Sequence, residues 1–238
     1  MQKKRDCDFS ISDRADLISQ GEFGARLDEP SRLRLAAGSS VIDFRPRRTV
    51  YRAGEEAACL YAIASGRIKL FRQENGSARE AVIDILSSGV LFGESALYSQ
   101  TETRENCAMA YESSRLLKFP VGDFRDAMLE DRELYDYTFR LIGQRREQAE
   151  RRIADFALDA IPARLGKLLA EFSDRYGIRE SDGVLIDLPL PHREIASLLG
   201  STRESVTVRL NAMRRAGTID FVKRKILVKR RESLMVSN

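Results

Sequence analysis

With 238 residues, 43% hydrophobic and 32% charged, the chain is long enough for one large domain or two modest ones, and composition forces no long disordered tract. No apolar run approaches the roughly 20 residues of a membrane helix. The basic start MQKKRDCDFSISDRAD lacks a signal's apolar stretch, and Cys7, Cys59 and Cys107 are too scattered for a disulfide framework or a zinc pattern. These features read as a cytoplasmic, reduced chain with no membrane partner. The net charge of +4 is unevenly spread: residues 191–231 hold eleven Lys and Arg against three Asp and Glu, a surplus of eight that leaves the remainder at −4. A basic C-terminal segment on an acidic chain suits a polyanion; a solvated basic face is the plain alternative.

Residues 10–40 read as helical and polar-amphipathic. From about 41 to 120 the pattern changes to short β-rich runs, VIDF, CLYAIA, RIKLFRQ, AVIDIL and RLLKFP, separated by turn signals at Gly54, Gly66, Asn75-Gly76, Gly89 and Gly93. Asn-Gly between two such runs predicts a hairpin, and many short strands predict a sandwich or small barrel. Residues 121–158 have helical periodicity, with an apolar stripe of Phe124, Met128, Leu134, Leu141, Ile142, Ala149, Ile153 and Phe156 around the polar stretch GQRREQAERR. A long helix with a thin apolar seam packs on a second copy or lies along its own domain. Residues 163–177 predict another amphipathic helix, SDG a turn and VLIDLPL a short strand.

The segment PHREIASLLG predicts a short helix ended by Gly200. Ser201 and Glu204 have the S-x-x-E spacing of a capping box for the next helix, whose apolar side is Val206, Leu210 and Met213. Counting from His192, Ala196 falls at place five, Gly200 at nine and Val206 at fifteen, the spacing of a helix-turn-helix. A small residue at five lets the helices approach, and glycine at nine permits the positive φ of the turn. TIDFV and KILVK then predict a wing turning at Lys223-Arg224. The first turn of the second helix carries Thr202, Arg203 and Glu204, where a recognition helix reaches base edges. Arginine pairs with guanine O6 and N7, and glutamate accepts from cytosine N4. The candidate DNA-binding residues are therefore Thr202, Arg203, Glu204, Thr207, Val208, Arg209, His192, Lys223, Arg224 and Lys225.

An acidic β-rich module, a long helix and a basic winged helix-turn-helix, in that order, resemble the cyclic-AMP receptor/fumarate-nitrate regulator family of bacterial transcription factors. The resemblance rests on YRAGEEAACLYAIASGRIKLF, GVLFGESALYSQTETR and HREIASLLGSTRESVTVRL and covers nearly the whole chain beyond about residue 20. It implies an α+β fold: a jelly-roll-like β-roll of the cyclic-nucleotide-binding type with an N-terminal helical segment (1–120), a long dimerisation helix (121–158) and a winged helix-turn-helix DNA-binding domain (159–238). It also implies a homodimer on two-fold double-stranded DNA, with a seam of Leu134, Leu141, Ile142, Ala149 and Ile153, and RNA polymerase as a partner if the protein activates.

The resemblance places a candidate effector pocket at Gly93, Glu94, Ser95, Arg104 and Glu105. Nucleotide-binding members follow this arginine with Ser or Thr, which contacts the cyclic phosphate. Here Glu105 stands there, and a carboxylate repels a phosphate. Ala149-Glu150 occupies the place of the adenine-contacting hydroxyl residues. Cyclic AMP is accordingly not the expected effector; Glu94, Arg104 and Glu105 are expected to satisfy one another as a salt-bridge cluster, and no cofactor is assigned. Cys7 alone near the N-terminus does not make a four-thiolate iron–sulfur site, and the sole histidine, His192, sits in the reader, where it is read as a surface or phosphate-contacting residue rather than a haem ligand. Redox sensing by Cys59 or Cys107 stays open beside structural burial. In the reader, Val208 and Arg209 reverse the family's usual order: Val208 offers a thymine-methyl contact and Arg209 a phosphate or an acid. No Ser/His/Asp set, metal cluster or Gly-rich loop supports an enzyme, and the basic wing argues against a sensor that signals without DNA.

Overall fold

The computed structural model describes residues 9–73, 80–99 and 102–235; Cys7 and the Asn75-Gly76 turn lie outside them. The chain divides into two compact units, residues 1–146 and 147–238, and the division falls within a long helix.

The first unit opens with α1 (Ile11–Ser19) and α2 (Glu29–Gly38) on either side of a 3-10 turn at Gly24–Arg26. Both helices start at side chains that satisfy free backbone amides. The Ser10 hydroxyl accepts from the Asp13 amide while the Asp13 carboxylate takes the Ser10 amide, and Asp28 accepts from the Ser31 amide. Strands β1 (Ser40–Phe44), β2 (Thr49–Tyr51), β3 (Cys59–Ser65), β4 (Arg67–Gln73), β5 (Glu80–Ser87) and β6 (Leu91–Phe92) follow. Next come the short α3 (Ser95–Tyr98), β7 (Cys107–Ala110) and β8 (Ser114–Pro120). They form two antiparallel sheets, ordered β1-β8-β3-β6 and β2-β7-β4-β5.

The period of two along a strand explains how these sheets are buried. Tyr61, Ile63, Phe92 and Leu116 of the first sheet meet Tyr51, Ile68, Leu70 and Leu86 of the second. Leu60, Ala62, Leu117 and Phe119 face the other way and are covered by Ile18, Phe23, Leu35 and Phe124, the last from α4 (Val121–Glu130). The first sheet is thus apolar on both faces, which is why CLYAIA reads as a continuous run rather than an alternation.

The helical pattern of 121–158 is broken once, at Asp131. Its carboxylate accepts the Leu134 amide and starts α5 (Arg132–Leu158). Leu134 and Thr138 of α5 are buried, and Tyr137 and Leu141 pack on the same core. This corrects the expected seam: Leu134 and Leu141, seven residues apart and so on one face, serve the first unit's own core. A different face of α5 stays open, with Tyr135 48%, Phe139 70% and Ile153 67% exposed, Ile142 half-buried and Ala149 exposed.

The second unit contains the last turns of α5, then α6 (Ile161–Tyr176), β9 (Gly177–Glu180), β10 (Gly183–Ile186), α7 (His192–Leu199), α8 (Arg203–Arg215), β11 (Ile219–Val222) and β12 (Lys225–Val228), and a 3-10 turn at Glu232–Met235. Its sheet is antiparallel in the order β11-β12-β10-β9. Leu165, Leu169 and Phe172 of α6, Ile195 of α7, Val206 and Leu210 of α8, and Ile186 and Ile226 of the sheet are buried. Met213 is only half-buried. Lys167 of α6 binds Asp155 at 2.5 Å and Asp159 at 2.6 Å, one before and one after the end of α5.

Candidate nucleic-acid interface and effector pocket

The turn between α7 and α8 takes the form the spacing predicts. Gly200 ends α7 in the left-handed conformation, φ 57° and ψ 43°, and a Cβ there would lie 2.9 Å from the Phe156 ring. Both conformation and space therefore require glycine. The capping box, however, is not formed. Ser201 still belongs to the turn, and the cap is Thr202, whose hydroxyl accepts from the Ser205 amide at 3.1 Å. The spacing rule fails because the left-handed residue carries the turn one position further before helical geometry begins.

Arg203, Glu204, Val208 and Arg209 are exposed on α8, and among the described residues none of the three charged ones makes an ion pair. Val208 is 61% exposed, a bare apolar side chain on the outer surface of a basic helix. Lys223 and Arg224 form the two-residue turn of the wing, with φ 47° and 68°, the mirror-image turn that matches strand twist. Lys225 differs: its Nζ is held by Asp187 at 2.5 Å, so its expected role as a free phosphate-binding cation is corrected. It sits on β12 and points back to the end of β10. Arg214, unremarked in the sequence, is likewise engaged, with Asp220 at 3.3 Å.

His192 and Thr207, expected to act separately, are joined. The Thr207 hydroxyl lies 2.7 Å from the Arg203 carbonyl and 2.8 Å from His192 Nδ1. His192 is half-buried against the Phe221 ring, at 6.0 Å, and is not a free surface residue. No sequence rule places residue 1 of a helix-turn-helix against residue 16.

In the first unit Arg104 sits deep, 3% exposed. The segment around it is zipped to the loop before β3: the Gly54 amide donates to the Arg104 carbonyl at 2.8 Å, and the Arg104 amide to the Glu55 carbonyl at 2.8 Å. Its guanidinium donates to the carbonyls of Gly93, at 3.0 Å, and Cys59, and lies 4.4 Å from the centre of the Tyr51 ring. Gly93 has φ +80°, and a Cβ there would meet Arg104 Nη1 at 3.0 Å. Glu94, also buried, pairs through Oε1 with Arg145 Nη1 of α5 at 3.0 Å, and Arg145 also donates to the Leu91 carbonyl. Glu94 Oε2 and Arg104 Nε are buried without a hydrogen-bond partner among the described residues. Ser95 is half-buried at the start of α3.

The expected Glu94–Arg104–Glu105 cluster is not formed. Arg104 is buried whereas Glu105, at the bend that follows, faces outward and pairs with Arg72 at 3.0 Å, both well exposed. Tyr51, Tyr61 and Arg145 were not found by sequence reasoning. The tyrosines lie on strands that meet only through sheet packing, and Arg145 hides in a stretch that reads as a solvated helix face. Burial holds the Tyr51 hydroxyl well above the ordinary tyrosine range.

His192 offers a pH readout without ambiguity, because it is the only imidazole in the chain. Burial, and then the Arg203 charge, hold its pKa below the ordinary 6.5. The unfolded chain therefore takes up a proton first as pH falls. The contribution to stability is complete above 6.5 and is lost as pH drops through the depressed value. NMR titration of the folded protein is expected to show a midpoint below 6.5, with thermal stability falling on acidification in the same window; a midpoint at or above 6.5 contradicts the arrangement.

Comparison with known proteins agrees with both units. Residues 41–131 match the cyclic nucleotide-binding domain and residues 163–236 the Crp-like helix-turn-helix domain. The chain is 31% identical over 189 residues to the global nitrogen regulator of Synechococcus elongatus, covering 79% of this chain and 85% of that protein. It is 26% identical over 193 residues to the CRP-like cAMP-activated global transcriptional regulator of Mycobacterium tuberculosis, covering 81% and 85%. The fold is similar to that of the CooA mutant from Carboxydothermus hydrogenoformans, with a TM-score of 0.72 at 22% identity over 83% of this chain and 87% of that one. It is also similar to the c-di-GMP responsive global regulator CLP of Xanthomonas campestris, with a TM-score of 0.73 at 22% identity over 84% and 99%. A β-rich sensor fold, a long helix and a winged reader, together with these relatives, place the chain in the CRP/FNR family of DNA-binding transcription regulators, which are not enzymes.

Proposed function

We propose that this regulator reads a specific two-fold DNA site as a homodimer, and that cyclic AMP does not control it. The reading of DNA rests on one observation above all: Arg203, Glu204 and Arg209 on α8 and Lys223 and Arg224 on the wing are exposed and make no ion pair among the described residues. Arg203 and Glu204 stand in the first turn, where side chains reach base edges. Arg209, Lys223 and Arg224 suit phosphates, which position the protein without reading sequence. Binding should weaken steeply with salt, by a slope of roughly −0.9 per phosphate neutralised. Arg203→Ala is expected to cost about 1–3 kcal/mol on the specific site and to relax sequence preference, while Lys223→Ala weakens binding evenly on all sequences. Equal losses on specific and random duplexes for Arg203→Ala would remove it from base reading.

The homodimer is supported by the open apolar face of α5. Tyr135, Phe139, Ile142, Ala149 and Ile153 follow one another at intervals of three, four and seven, the spacing of a helix–helix seam. Leu141 is a poor test, since a charge there damages the first unit's own core. Phe139→Asp introduces a charge into the seam alone. Sedimentation is expected to show a dimer for the wild type and a folded monomer for Phe139→Asp, with loss of affinity for the two-fold site; a wild-type monomer at working concentration refutes the seam. A cytoplasmic location, and RNA polymerase contact if the protein activates, accompany this reading.

The case against cyclic AMP rests on Arg104. Its guanidinium is already bound to two carbonyls and stacked on Tyr51, Glu94 is paired with Arg145, and the hydroxyl that would follow the arginine is replaced by an outward-facing Glu105. A cyclic phosphate must displace these contacts at a site that offers it one fewer hydroxyl donor. Calorimetry is expected to detect no micromolar cyclic-AMP binding and no gain in DNA affinity; either one overturns the reading.

A further inference from the structure

We propose that His192 is a positioning residue of the DNA reader, which sets the place of the first turn of α8, and with it Arg203, through the Thr207 hydroxyl. This rests on the reading of α8 as the DNA-contacting helix. A backbone carbonyl only accepts, so the Thr207 hydroxyl donates its single hydrogen to the Arg203 carbonyl, 2.7 Å away. Its oxygen then faces His192 Nδ1, at 2.8 Å, with lone pairs only. His192 Nδ1 must carry the proton, and neutral His192 has a bare Nε2.

A threonine hydroxyl bonded back to the carbonyl four residues earlier is common in helices and favours a slight bend. Here the bond is not left to α8 alone. The imidazole at the start of α7 grips the same hydroxyl, and its ring rests near Phe221 of β11. One side chain therefore touches the support helix, the reading helix and the wing. Buried Ala196 and Val206 fix the separation of the two helices without fixing their rotation.

The charges around the ring fit this role in either protonation state. Arg203 approaches from α8. Arg193 and Glu194 on α7 pair with each other at 3.7 Å. On β11, Asp220 is held between Arg214 and Lys229, both at 3.3 Å. Protonation adds hydrogen at Nε2 and leaves the Nδ1–H bond to Thr207 in place, so the positioning is not itself switched off by acid.

The test uses the full-length protein and a duplex selected from a random pool by the wild type, with a scrambled duplex as the non-specific control. His192→Ala and Thr207→Val are each expected to lose about five- to tenfold in affinity for the selected duplex, the scale of one net hydrogen bond, with little change on the scrambled one. The double variant should lose no more than either single one. His192→Asn, whose amide nitrogen occupies the Nδ1 place, should restore most of the loss. Nitrogen-15 NMR of the wild type, which depends on no variant folding, should show the Nδ1–H tautomer at neutral pH. An Nε2–H tautomer, additive losses, equal losses on both duplexes or failure of asparagine to rescue would each overturn the proposal. If Arg203→Ala changes discrimination while His192→Ala does not, the positioning role fails alone; if neither does, the reading of α8 fails with it.

Discussion

Burying the Arg104 guanidinium is the constraint around which the first unit is arranged. A cation removed from water costs several kcal/mol unless its donors are met. It is met here by main-chain carbonyls and aromatic faces rather than by a carboxylate. That choice dictates the surroundings. Residue 93 must lack a Cβ, because the guanidinium occupies the space, and must hold φ +80° so that its carbonyl turns inward. Tyr51, Tyr61 and Phe92 must stack across the two sheets to offer a ring face. The loop before β3 must pair with the segment at 102–105 to hold the arginine's backbone. With Arg104 satisfied by neutral groups, Glu94 is released to pair with Arg145 on α5. The ion pair thereby ties this part of the first unit to the middle of α5 and leaves one Glu94 carboxylate oxygen without a partner among the described residues.

In the second unit the corresponding constraint is steric. Phe156, near the end of α5, lies against the turn of the helix-turn-helix, with Arg164 over its ring at 4.5 Å. Any side chain at residue 200 would collide with that ring as well as strain the backbone. The same turn moves the helix start to Arg203, so the residues offered to a ligand begin one place later than a capping rule predicts. Lys167, between Asp155 and Asp159, holds the bend that brings Phe156 there. The turn itself is local in sequence, and its spacing was legible; Phe156 reaches it from α5 only through helix packing.

What the sequence conveyed and what it hid divide along that line. Strand runs, the wing and the helix-turn-helix spacing are short-range signals, and the β-rich stretch, the turn at Gly200 and the wing turn stand where their residues predict. Arg104 and Glu94 were singled out in the sequence, but the partners that hold them were not. A motif fixes which residues are near one another in the chain, whereas Tyr51, Cys59 and Arg145 reach the pocket through sheet order and helix packing. Glu105 was misplaced because adjacency in sequence was taken for adjacency in the pocket, whereas the chain bends after Arg104 and turns the next side chain outward. Leu134 and Leu141 were assigned to a seam because an apolar helix stripe does not say which surface covers it; α5 has two such stripes, and heptad spacing describes both.

Charge decides between a reading surface and a merely solvated one. Of the eleven basic residues in 191–231, five are spoken for: Arg193 by Glu194, Arg214 and Lys229 by Asp220, Lys225 by Asp187 and Arg231 by Asp174. Exposed pairs of this kind add little stability, but they orient side chains along the body of the unit. The other six, Arg203, Arg209, Arg215, Lys223, Arg224 and Arg230, are exposed and have no ion pair among the described residues. A solvated basic face selected only for solubility has no reason to sort its cations by element. Here the first half of α8 and the wing turn keep theirs free, at Arg203, Arg209, Lys223 and Arg224, while Arg193 on α7, Arg214 at the end of α8 and Lys225 on β12 are neutralised. Like charges gathered on so small a unit repel one another, a repulsion that the DNA surface proposed above, across α8 and the wing, would relieve.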